Sequence, residues 1–113
     1  MKQRIAVLMT SHNRCQKTLQ CLRSLYSQDV LPRLSVCVYL VDSGSSDGTP
    51  HAVKQDFPDI HLIPVSDDLY WCGGMRIAYE HASREKYDFY LWLNDDSLLY
   101  PDALSRMLET YEQ

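Results

Sequence analysis

The chain has 113 residues, 45% hydrophobic and 23% charged, with a formal net charge of −4. That length suits one domain, residues 1–113, with a core of its own, and the acidic balance argues against the basic stripe of a nucleic-acid binder. No apolar run reaches the ~18–20 residues of a membrane span, and the N-terminus lacks the long apolar core of a signal peptide.

Ile5 to Met9 is almost continuously apolar, as a strand covered on both faces should be. From Cys15 to Tyr26 the period turns helical, with Leu19, Leu22, Leu25 and Tyr26 on one stripe and Ser11 or Asn13 placed to cap its start. Val36 to Val41 reads as a second strand. Thr49-Pro50 opens a short helix to about Phe57, proline being tolerated in a first turn. Ile60 to Val65 is a weaker strand because Pro64 suits an edge or an end. Gly74 to Ser83 is helical, Phe89 to Leu93 a fourth strand, and Pro101-Asp102 open a last helix with Leu104, Met107, Leu108 and Tyr111 on one face. The alternation β-α-β-α-β-α-β-α predicts an α/β fold, a Rossmann-like parallel sheet with helices on both faces and right-handed crossovers. The four cysteines, Cys15, Cys21, Cys37 and Cys72, form no C-x-x-C pair. They read as small reduced core residues in a cytoplasmic protein rather than as a zinc site.

In a parallel sheet the loop after every strand leaves from the same edge, where open α/β sheets bind their ligands. Those loops are Thr10 to Arg14, Asp42 to Thr49, Asp67 to Gly74 and Asn94 to Ser97. They carry neither the G-x-G-x-x-G dinucleotide fingerprint nor the P-loop lysine motif. Asn94-Asp95-Asp96 is the most chemical feature. Adjacent carboxylates are costly unless a cation offsets them, and hard oxygen ligands suit Mg²⁺ or Mn²⁺ bridged to a phosphate; the bland alternative is a solvated turn capped by Asp96 or Ser97. Asp42 can accept from a base N–H or simply shape a turn. Gly73 and Gly74, just before a helix, let backbone approach a ligand or form an ordinary loop. Arg14, in the first turn of a helix, faces a phosphate or solvent. Tyr70 and Trp71 wall a pocket or pack in a core. His12, His51, His61 and His81 receive no catalytic role.

Taken together these segments resemble the family 2 glycosyltransferases, which have the GT-A fold. Val7 to Arg14 is similar to the family's opening strand and T-x-x-N-R turn. Val41-Asp42-Ser43-Gly44-Ser45-Ser46-Asp47-Gly48-Thr49 resembles V-D-[DN]-x-S-x-D-G-T, the most specific stretch. Gly73-Gly74 is loosely similar to the family's glycine-bearing segment before a helix, and Leu93-Asn94-Asp95-Asp96-Ser97 resembles the D-x-D motif, with Asn94 in place of its first aspartate.

The resemblance implies strand order 3-2-1-4 and a nucleotide-diphosphate sugar donor, UDP by default with dTDP or GDP open. It implies that Thr10 and Asp42 contact the base and that Asn13, Arg14, Gly73, Gly74, Asn94 and Asp95 line the nucleotide site. Asp96, with Asp95, would ligate Mg²⁺ or Mn²⁺. Inverting transfer to an acceptor hydroxyl would follow, in polysaccharide synthesis in the cytoplasm or at the inner face of the membrane. The family's catalytic base lies well C-terminal to the D-x-D motif and is expected beyond Gln113. Residues 1–113 are therefore expected to form the N-terminal, donor-binding half of a GT-A fold, inactive alone, whose fourth strand lets two copies associate. Two other classes remain: a non-catalytic nucleotide-binding or assembly module, and a sugar-nucleotidyltransferase, whose glycine-rich first turn is missing here.

Overall fold

A computed structural model describes residues 3–66 and 71–112. Four strands, β1 (Gln3–Ser11), β2 (Leu34–Ser43), β3 (His61–Val65) and β4 (Phe89–Trp92), alternate with helices α1 (Cys15–Leu25), α2 (Thr49–Asp56), α3 (Trp71–Ala82) and α4 (Ala103–Glu112). All strand pairs are parallel and the order is β3-β2-β1-β4, as the family resemblance implied.

Alternate residues of β1 point to opposite faces, and both faces are apolar. Ile5, Val7 and Met9 join Val38, Leu40, Leu19, Leu22, Leu25, Val53 and Leu104 in a core beneath α1, α2 and α4. Ala6 and Leu8 join Tyr39, Val41, Met75, Ala78 and Ala82 beneath α3. Right-handed crossovers explain this division. The chain moves one way across the sheet from β1 to β3 with α1 and α2 on one face, then returns to β4, which puts α3 on the other. The reversal leaves a switch in strand order between β1 and β4. The loops after both strands lead to helices on the same face, α1 and α4, and so run side by side at the carboxyl edge, where open α/β sheets hold their ligand crevice.

Strand ends run past the apolar cores legible in the sequence. β1 and β2 pair from Gln3↔Leu34 to Ser11↔Asp42, because backbone pairing continues where side chains turn polar. The last pair places Ser11 beside Asp42 at the sheet's carboxyl edge. Two sequence expectations need correction. Helix α3 begins at Trp71, so Gly73 and Gly74 lie in its first turn and do not precede it. Met107 is exposed, while Leu104 is buried and holds α4 to the core. β4 is an outer strand, and with α3 it displays Tyr79, Tyr90 (39% exposed) and Trp92 (57%); the rings of Tyr79 and Tyr90 lie 5.3 Å apart. Among the described residues no helix is long and apolar enough to cross a membrane.

Candidate functional site

The first two loops are stitched into one wall. The Ser11 hydroxyl donates to Asp42 Oδ1 at 3.1 Å, Ser45 Oγ to the same oxygen at 2.6 Å, and the Ser45 N–H to Oδ2 at 3.1 Å. Asp42 is buried, and these three donors replace much of the water that it gives up. Ser45 Oγ also accepts the Asn13 N–H at 2.9 Å, and Asn13 Oδ1 accepts the Ser46 N–H at 2.7 Å. His12 Nδ1 meets the Ser43 carbonyl. Asn13 holds φ at 51°, a left-handed conformation that asparagine tolerates better than most residues. The side-chain oxygen of Asn13 is engaged by the neighbouring loop.

Asp47 links two helices. Its Oδ2 accepts the Cys15 N–H at 3.0 Å, at the start of α1, and its Oδ1 accepts the N–H of Thr49 at 3.2 Å and the Thr49 hydroxyl, at the start of α2. The Thr49 hydroxyl first, and these backbone donors after it, hold the Asp47 carboxyl below its usual range. Neither Ser11 nor Asn13 caps α1, as their positions suggested; the residue at the cap position is Arg14, whose side chain makes no capping bond.

The loop after β4 is carried by α1 and the residues that follow it. Cys21 Sγ donates to the Asn94 carbonyl at 3.5 Å, and Ser24 Oγ accepts the Leu99 N–H at 3.1 Å. Gln28, buried just past the helix, accepts the Leu104 N–H at 3.0 Å and donates to the Tyr100 carbonyl at 2.8 Å, so it caps α4 from outside. Burial, aided by the negative charge of Asp95, pushes the Cys21 thiol up to about 11, so it stays protonated as a donor. Sequence patterns assign no role to Ser24, Gln28, Ser45 or Asp47. Short polar side chains in the two loop motifs were the available signal for Ser45 and Asp47; nothing marked Gln28.

Across the switch point Arg14 reaches the acidic pair. Its Nη1 lies 3.6 Å from Asp95 Oδ1 and 3.3 Å from Asp96 Oδ2. The two carboxylates differ: Asp95 is nearly enclosed, its side chain 11% exposed, while that of Asp96 is 45% exposed. Burial raises the Asp95 carboxyl above its usual range; Arg14 opposes this and the like charge of Asp96 adds to it. Between β1 and α3, Gly74 lies over Thr10. A Cβ on Gly74 would come within 2.7 Å of Thr10 Cγ2 and 2.8 Å of its Oγ1, so only glycine lets the helix down to this depth. The Thr10 hydroxyl is enclosed there and has no hydrogen-bond partner among the described residues. Tyr70 lies outside the described residues, and so do the side chains of Trp71, Cys72 and Tyr111. Gln113 lies outside them as well, and the catalytic base, expected beyond it, is assigned to no described residue.

Residues 6–113 match the sequence profile of Glycosyl transferase family 2. The chain belongs to that family. Over 47 residues, 42% of this chain, it is 40% identical to an N-acetylglucosaminyl-diphospho-decaprenol L-rhamnosyltransferase of Mycobacterium tuberculosis, of which the match covers 15%. Its structure resembles the mannosyltransferase PcManGT of Pyrobaculum calidifontis, solved with GDP-Man and Mn²⁺, at TM-score 0.70 and 26% identity over 96% of this chain and 32% of that one. It also resembles residues 1–349 of TarS from S. aureus at TM-score 0.73 and 20% identity, covering 99% of this chain and 32% of that one. This family 2 chain therefore spans about a third of the length of these solved GT-A relatives and has their sheet.

The acidic pair of this family 2 chain suits a hard divalent cation. A cationic nitrogen already stands within 3.6 Å of both carboxylates, so one ion can address both. Among the described residues no three His, Cys, Asp or Glu side chains converge to hold a metal. Two carboxylates are too few for a structural zinc site, but they match Mg²⁺ or Mn²⁺, which fill their other positions with water and substrate phosphate.

Proposed function

We propose that the crevice at the switch point is the donor site of a metal-dependent, inverting glycosyltransferase, with Asp95 and Asp96 as the metal ligands. The observation that carries this reading is the meeting of Arg14 with Asp95 and Asp96 at the edge where Ser11 and Ser45 orient Asp42. Asp42 keeps acceptor capacity beyond its three donors and would receive a base N–H. Arg14 lies near enough to the acidic pair to meet a diphosphate. Asn94 would hydrogen-bond a ribose hydroxyl without adding charge. Gly74 and Thr10 set the height of α3 over the pocket, and Asn13 holds its first wall. Mg²⁺ or Mn²⁺, when bound, would supply the charge that stabilises a departing diphosphate. The similarity to a mannosyltransferase solved with GDP-Man and Mn²⁺ supports a nucleotide-sugar donor and a divalent ion.

Each carboxylate among the described residues of the crevice is already committed. Asp42 and Asp47 are held by their neighbours' donors, and Asp95 and Asp96 serve the metal. Among the described residues none remains to act as base on an acceptor hydroxyl, so these residues would bind donor without efficient transfer. Calorimetric titration of UDP, dTDP and GDP, with and without Mn²⁺, tests this. Metal-dependent binding of one of them, lost in Asp96→Ala, is the expected result; no binding to folded chain would sink the donor-site reading.

A second reading, an assembly module that keeps the fold without the chemistry, is favoured by the exposed Tyr79 and Tyr90 beside the outer strand β4. Two copies would pair there. Light scattering that finds only monomer at high concentration would count against it.

A further inference from the structure

Arg14 stands where a bound divalent ion would have to act. Its Nη1 is 3.3 Å from Asp96 and 3.6 Å from Asp95, and half of its side chain is exposed, so the contact can break without unpacking a core. Its backbone is the opposite case. Arg14 follows Asn13, which Ser45 and Ser46 hold, and precedes Cys15, whose N–H Asp47 holds. The result is a half-exposed guanidinium on a fixed root. Two carboxylates with one nearly enclosed need a counter-charge even when no metal is bound.

Resting on the donor-site reading, we propose that Arg14 is a tethered counter-cation, which neutralises Asp95 and Asp96 until a divalent ion displaces it and then turns to the diphosphate that arrives with the ion. Both partners of Arg14 would then be anionic, the carboxylates first and the phosphates second. A guanidinium is suited to both because its fork of donors matches either geometry. No bond is made or broken; the residue positions and neutralises, and it touches no reacting atom.

The two halves of this exchange have opposite signs, which a merely structural arginine would not produce. Mn²⁺ binding to the 113-residue chain, read by electron paramagnetic resonance at low salt, should tighten about three- to tenfold in Arg14→Gln, because a half-exposed competing charge is gone. Arg14→Lys, which keeps the charge, should bind Mn²⁺ much as the unmodified chain does. At saturating Mn²⁺ the order should invert, with Arg14→Gln binding UDP, dTDP or GDP, whichever the unmodified chain takes, about tenfold more weakly. Unchanged or weaker Mn²⁺ binding in folded Arg14→Gln overturns the counter-cation while leaving the metal site standing. Tighter Mn²⁺ with undiminished nucleotide binding overturns the exchange. Failure of both chains to bind Mn²⁺ overturns the metal reading and the exchange together.

Discussion

Asp47 caps α1 from 32 residues away, accepting the Cys15 N–H at 3.0 Å while the same carboxylate holds the first residue of α2, Thr49. One side chain thus ties the starts of two helices together at the sheet edge. Asp47→Ala should cost about 1–2 kcal/mol, the usual range for a lost N-cap, and lower the melting temperature by about 4–10 °C in a domain of this size. Calorimetric melting checks this; an unchanged midpoint would show that water replaces the cap.

The same residue sets a pH dependence. Its carboxyl is held below the usual range in the folded chain. Its contribution is therefore complete above the unfolded carboxylate pKa of about 3.9 and disappears as pH falls through the lower folded value. The stability gap between the unmodified chain and Asp47→Ala should be constant near neutrality and close on acidification. A gap that widened as pH fell would contradict the assignment.

Gly74→Ala should destabilise the fold despite alanine's better helix propensity. The new methyl would stand 2.7 Å from Thr10 Cγ2, and overpacking of this kind costs about 1–3 kcal/mol. Thr10→Ala removes the two nearest atoms that the methyl meets, Cγ2 and Oγ1, and leaves Cβ at 3.3 Å. The double variant should recover at least half of the loss, a coupling that a double-mutant cycle measures directly. Additive losses would mean that α3 moves elsewhere.

Gln28→Ala should cost about 1–3 kcal/mol, since it strips the Leu104 N–H and the Tyr100 carbonyl of a buried partner. Hydrogen exchange should speed up at the start of α4 and in the loop after β4 before it changes in β1 or β2. Uniform exchange across the chain would argue that α4 is not separately anchored.

Much of the fold was legible because it rests on apolar period. The unbroken run from Ile5 to Met9 announced a strand covered on both faces, and the alternation of elements announced the parallel sheet. That the loops carrying Arg14, Asp95 and Asp96 share one edge also followed, because loops after parallel strands leave from the same side; the ion pairing of Arg14 with both carboxylates did not. What the sequence hid were partners chosen by register. Ser11 meets Asp42 because nine residue pairs place it there, and Asp47 reaches Cys15 only once both loops are in place. The helical period legible in the sequence begins only at Gly74, and α3 in fact starts three residues earlier, at Trp71; Gly74 is required inside it, by Thr10 beneath it. Gln28 resembles any surface glutamine until the residues from Tyr100 to Leu104 close over it.

Ser45→Ala should separate orientation from fold. It removes one donor to Asp42 and the acceptor of the Asn13 N–H. On the proposed reading, nucleoside diphosphate binding should weaken about three- to tenfold, the equivalent of one net hydrogen bond, with a melting midpoint shifted by only a few degrees. Full affinity in a folded variant would mean that Ser11 and the backbone N–H of residue 45 suffice.

The pairing of β1 with β2 also gives the crevice a place in time. Ser11 and Asp42 are 31 residues apart, and neither has its partner until a long chain loop has closed and the strands have docked. Contacts of that kind form late and slowly during folding. The crevice is therefore a product of the finished sheet, absent from any partly assembled chain. A ligand that needs it recognises native molecules alone and must stabilise them by mass action. Thermal shift against a panel of nucleotides would then report two things in one trace, the preferred base and the fraction of chains that had completed their assembly.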